Sequence, residues 1–179
     1  MLVLLQGAAI AQIATPPESR VGLIQKKLHD LLDPVGVFVN ADSALPKPGN
    51  AREFHLRWQK LAGVRGAASE RRLSVVSASG VGRVPRERSL ELTPGTLLVA
   101  AVDISGKLRA WRTITDPRFL RSEAPGPDGV LTGITVENPS PDFHVALADD
   151  PEIVELRFYE PRNTDGKISL QIVETVRVQ

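Results

Sequence analysis

The residues whose types and spacing bear on chemistry are a run of carboxylates, three histidines and a scatter of arginines and rings. Asp149, Asp150 and Glu152 lie within four positions, with Asp142 close upstream. Loops rich in such oxygens hold calcium. The run lacks an alternating Asp-x-Asp-x-Asp pattern, and Pro151 behind the Asp pair suits a strand-to-strand turn, so these three are weak calcium candidates and no resident metal is expected. His29, His55 and His144 show no HxH or HxxxH spacing. His55 and His144 do share the outward parity of two alternating segments, and a zinc or copper site would arise there only if those segments were neighbouring strands. Otherwise they are solvated sheet-face side chains.

Covalent and acid–base catalysis find little to work with. Cysteine is absent, which removes disulfides, thiolate metal sites and a cysteine nucleophile. There is no GxSxG element, and no carboxylate pair is placed to converge in a cleft. The expectation is a non-catalytic chain without a cofactor. The enzymatic alternative, an enzyme or enzyme-associated domain, would build its site from the Arg118–Asp128 and Asp149–Glu152 loops.

Binding residues remain. Trp111 and Tyr159 fall on the outward parity of their strands, as a sugar-binding sandwich would need, and Arg118 opens a loop rich in proline and glycine. These three are the ligand or partner candidates. Nucleic acid is not expected: Arg65, Arg71, Arg72, Arg83, Arg86 and Arg88 are diluted by Glu70 and Glu87 with no aromatic residue among them. The GVG at Gly80–Gly82 lacks the Lys-Ser/Thr ending of a phosphate loop.

These residues are carried by a chain that reads as strands and turns. Leu97 to Val102 is an unbroken apolar block, the pattern of a strand covered on both faces, and Asp103 to Lys107 supplies the turn of a hairpin. The same grammar recurs from Ile153 to Val178 around Asn163–Lys167. Further strands are expected at Arg52–Leu61, Arg72–Ala78, Arg88–Leu92, Val130–Glu137 and Phe143–Leu147, with Asp116–Asp128 as a long surface loop. Alternation places Phe54, Trp58, Leu98, Ala100, Phe143, Leu156 and Phe158 in the core. In the last strand Glu174 falls on the apolar parity, which a bulge or an exit from the core near it would relieve.

Nine short strands with turn signals between them predict a mainly β domain, an immunoglobulin-like or fibronectin-type antiparallel β-sandwich. One amphipathic helix precedes it. Its stripe is Val21, Ile24, Leu28, Leu31 and Leu32, opened by a capping box at Thr15–Glu18 and stopped by Pro34. The expected layout is a signal peptide over residues 1–14, with Ala9-Ile10-Ala11 as its small-residue end, a helix and linker over 15–50, and the β domain over 51–179. Export to the periplasm or beyond follows from that reading, with no membrane span.

Charge is uneven along the chain although its formal net is +1: residues 1–122 hold 18 of the 22 Lys and Arg but 10 of the 21 acids, leaving 4 basic and 11 acidic residues downstream. Basic and acidic strands are therefore expected to interleave in the fold. The functional expectation is an exported module acting through protein contacts or as an accessory domain, as a monomer or weak homodimer.

Overall fold

The apolar block Leu97–Val102 becomes the middle of the molecule. The computed structural model describes residues 20–40, 49–60, 71–83, 90–125 and 128–178. The signal-peptide reading of Met1–Ala14 and the capping box lie outside them. One helix, α1 (Arg20–Leu32), precedes β1 (Ala51–Lys60), β2 (Arg71–Val81), β3 (Thr96–Val102), β4 (Leu108–Thr115), β5 (Phe119–Pro125), β6 (Leu131–Glu137), β7 (Asp142–Ala148), β8 (Glu155–Thr164) and β9 (Lys167–Arg177). Every strand pair is antiparallel. The strands form a three-stranded sheet in the order β2-β1-β7, a four-stranded sheet in the order β4-β3-β8-β9, and a separate ribbon β5-β6. Among the described residues no helix is long and apolar enough to cross a membrane.

Two cores explain why β3 carries no polar residue after Thr96. Leu97, Val99 and Ala101 face Phe54, Leu56, Trp58, Val145 and Leu147 of the three-stranded sheet. Leu98, Ala100 and Val102 face the other way, onto Leu28, Leu31 and Leu32 of α1 together with Val37, Leu90 and Leu92. Period-two alternation thus feeds both layers, and the helical stripe closes the outer one. The helix ends where proline predicts: Asp33–Val35 tightens into a 3-10 turn, and Gly36, at φ 74°, closes it by donating its N–H to Asp33 O.

Six of the seven expected core residues are buried; Phe143 is partly buried because it lies on β7, an edge strand of its sheet. The Asp165-Gly166 turn joins β8 to β9 with both residues at positive φ, 51° and 78°, the left-handed pair a tight hairpin demands. Thr93-Pro94-Gly95-Thr96 turns into β3 with Gly95 at φ 84°.

Three register shifts redirect side chains. Opposite Phe158 and Tyr159, β9 offers Glu174 and Ile172, so Val173 is the extra residue. Of the two resolutions open for Glu174, a bulge or an exit from the core, the strand takes the bulge. It turns the even positions over: Leu170, before it, packs in the helix-side core, and Val176, after it, packs between the sheets. In β4 the extra residue is Arg109, between Leu108 and Ala110. In β2 it is Val76.

Two segments differ from the sequence reading. Leu90 to Leu92 is not a strand; it crosses beneath α1 with Leu90 and Leu92 buried, and Lys27 Nζ donates to Leu90 O at 3.3 Å. Arg88 and Ser89 lie outside the described residues. Conversely, Phe119–Pro125 is not loop but β5, paired over its whole length with β6. Its proline sits at the strand end, where a missing N–H disturbs the ladder least.

Candidate functional site

The ribbon β5-β6 is inserted between β4 and β7 and belongs to neither sheet. Its contacts are chiefly internal, and an isolated two-stranded hairpin is marginal in water. Its root supplies the anchorage. Arg118 donates from Nε to both carboxylate oxygens of Asp116, at 2.9 and 3.0 Å, and its backbone N–H donates to Asp116 Oδ1 at 2.9 Å. The guanidinium lies between the rings of Trp58 and Phe119, 5.2 and 5.7 Å from their centroids, with Glu160 3.6 Å away. Burial disfavours its charge; Asp116 and Glu160 outweigh that and raise its pKa. Asn138 N–H donates to Arg118 O at 2.7 Å and closes the other strand onto the root.

Beyond the root the ribbon has two unlike faces. Leu120 pairs with Val136 and Ser122 with Ile134, which sets these four on one side with no charge among them. Phe119, Arg121 and Glu123 lie on the other side with Thr135 and Glu137. Leu120 is 55% exposed, Ile134 46% and Val136 47%, and Val130 at the turn is 62% exposed. The face formed by Leu120, Ser122, Ile134 and Val136 is thus uncharged and largely apolar, and it is open to solvent.

The residues singled out from sequence are placed elsewhere. Trp111 and Tyr159 are not surface rings: both are buried in the core beneath α1, 5% and 0% exposed, because β4 and β8 are covered on the face that parity alone leaves outward. That removes the paired platform a sugar would need. Burial pushes the Tyr159 hydroxyl above its usual value against the opposing Arg157 charge beside it, with which it makes no well-formed hydrogen bond. Arg118 is the buried root of the ribbon, 8% exposed, not a free contact.

The acids Asp149, Asp150 and Glu152 each meet an arginine. Arg52 Nη2 reaches Asp149 at 2.9 Å. Arg109, aimed by its bulge, donates from Nε and Nη2 to Asp150 Oδ2 at 3.0 and 2.9 Å and reaches Glu152 at 2.7 Å. Asp103 stands 3.9 Å from the same guanidinium; burial opposes its ionisation, but donors at Ser105 and Lys107 and the Arg109 charge hold its carboxyl below the usual range. The calcium candidates are thus joined to the opening of β4, while Arg118 lies past its far end. At about 3.3 Å per residue, the length of β4 separates the Asp149–Glu152 turn from Arg118, where the other segment of the enzymatic alternative begins.

On the solvent face of the three-stranded sheet, β1 and β7 are neighbours and His55 stands directly opposite His144. Their rings stack at 4.6 Å with 3° between planes. Arg57 donates twice to Asp142, at 2.8 and 3.1 Å, and this contact draws the Asp142 carboxyl below its usual range. Among the described residues, no three His, Asp or Glu converge as a ready metal site. In the sequence the meeting of the histidines is conditional on strand order, and its signal is a repeat that single-residue spacing does not reveal, Glu53-Phe54-His55 against Asp142-Phe143-His144.

The long-range ion pairs join the two charge halves of the sequence: Arg52 to Asp149, Arg57 to Asp142, Arg109 to Asp150 and Arg118 to Glu160. Among the described residues, basic and acidic segments thus interleave. The purified chain is therefore expected to keep one elution volume between about 0.05 and 0.5 M salt, over which screening changes severalfold; a salt-dependent shift would show separated charged poles.

No family model, curated protein or solved structure matches the chain.

Proposed function

We propose that this chain is an exported, non-catalytic protein-interaction module on an immunoglobulin-like β-sandwich, and that the ribbon β5-β6 is its docking arm. The observation that carries the reading is the uncharged, exposed face formed by Leu120, Ser122, Ile134 and Val136. The strand order supports the fold class in one sheet. Leaving the ribbon aside, β3-β8-β9 follows the C-F-G order of immunoglobulin domains. The other sheet departs from it by placing β1, not β2, in the centre.

The occupant is a different protein presenting an apolar strand or groove. Arg121, Glu123 and Glu137 on the opposite side carry mixed charge, which suits the polar rim of a protein interface. An anionic lipid surface would call for clustered lysine and arginine. Export rests on the apolar Met1–Ala14 segment and its Ala-x-Ala end.

Ile134→Asp in the native host tests the arm. The side chain is exposed, so the urea midpoint of the purified variant should match wild type. On a native gel of the host fraction, wild type is expected in a complex larger than the monomer and the variant as monomer. Wild type migrating alone, or a variant retained in the complex, would refute the reading.

A further inference from the structure

We propose that His55, His144 and Glu53 form a binding site for a divalent transition-metal ion of the zinc class on the solvent face of the three-stranded sheet. The two strands carry the same tripeptide, an acid, a phenylalanine and a histidine, and run antiparallel with the histidines in register. Phe54 packs between the sheets, and Phe143 packs against the same core, which fixes the outward parity of the residues on either side. The pairing therefore makes a local two-fold arrangement with the histidines flanking its axis, and it brings each acid to the other strand's histidine. His144 Nδ1 lies 3.4 Å from Glu53 Oε2, and His55 Nε2 lies 3.7 Å from Asp142 Oδ1.

Those separations have chemical meaning. With zinc bonds of about 2.0–2.2 Å and tetrahedral angles, two ligand atoms on one ion stand roughly 3.3–3.5 Å apart, the spacing His144 and Glu53 already hold. Imidazole nitrogen with a single carboxylate is a donor set suited to zinc, copper or nickel, with water completing the shell. Asp142 is committed to Arg57 by two hydrogen bonds and serves as a positioning residue for His55. The ligand side chains are accessible, His144 at 55%, Glu53 at 36% and His55 at 27% exposure. Binding requires the stacked rings to splay so that a nitrogen of each meets Glu53 at one ion, a turn in which His55 leaves its place beside Asp142.

Calorimetric titration of the untagged full chain with zinc chloride at neutral pH is the test. One ion per chain is expected in the micromolar range, with His55→Gln and His144→Gln each weakening it at least tenfold, Glu53→Gln weakening it less, and His29→Gln leaving it unchanged. Acid should abolish binding, because ring nitrogens bind metal only unprotonated. Imidazole NMR of the unaltered chain gives an independent readout: zinc should perturb the His55 and His144 signals and leave His29 alone. No saturable binding at millimolar zinc, binding that survives loss of both histidines, or perturbation centred on His29 would overturn the proposal.

Discussion

Truncation of Phe158 to alanine is expected to lower stability by about 3–5 kcal/mol, a large share of the 5–15 kcal/mol typical of a domain. The side chain is fully buried and meets Trp58 and Phe143 edge to face, at ring separations of 6.0 and 6.1 Å. It packs in the core between the two sheets, where its loss leaves a cavity. Urea denaturation should show a large fall in midpoint with little change in slope. An unaltered midpoint would mean that β8 turns its other face to the inter-sheet core.

Asp116→Ala is the second large effect. It leaves the Arg118 guanidinium, 10% exposed, without its bidentate partner, and breaking one side of a buried pair costs about 3–5 kcal/mol. Asp116 also receives the Arg118 N–H at the entry to β5, so the damage should concentrate on the ribbon. Hydrogen exchange is expected to show β5 and β6 losing protection ahead of β3 and β8. Removing both charges, as Asp116→Ala with Arg118→Met, should restore part of the loss, since the uncompensated cation is then gone. Equal stability of the single variant and wild type would show that the root is not held by this pair.

Strands with clean alternation were legible: Phe54, Leu56 and Trp58 announce β1, and the unbroken Leu97–Val102 block announces a strand covered twice. What covers the second face was not legible from parity. Trp111 and Tyr159 occupy positions that read as outward, and only the packing of Leu28, Leu31 and Leu32 across them makes those positions interior. Bulges hide from sequence for a related reason. Arg109 looks like one outward residue in an alternating run, and only the ladder shows that it is skipped and aimed at Asp150. The misplaced parity of Glu174 was the exception, because a charge on an apolar face leaves a visible conflict. The β5 strand was masked by its charges and by Pro125 and Pro127, whereas β6 was evident from its β-branched residues. The apolar face of the ribbon needs both strands and their register, so it is not visible without β5.

If the ribbon is a docking arm, one of its faces, and not the ribbon as a whole, meets the partner protein. A photo-crosslinking residue placed singly at Leu120, Ile134 and Val136, and at Arg121, Glu123 and Thr135 of the opposite face, separates these in the native host. One discrete adduct of the same partner is expected from the first three positions and none from the other three. Adducts shared equally by both faces, or absent from all six positions, would contradict it.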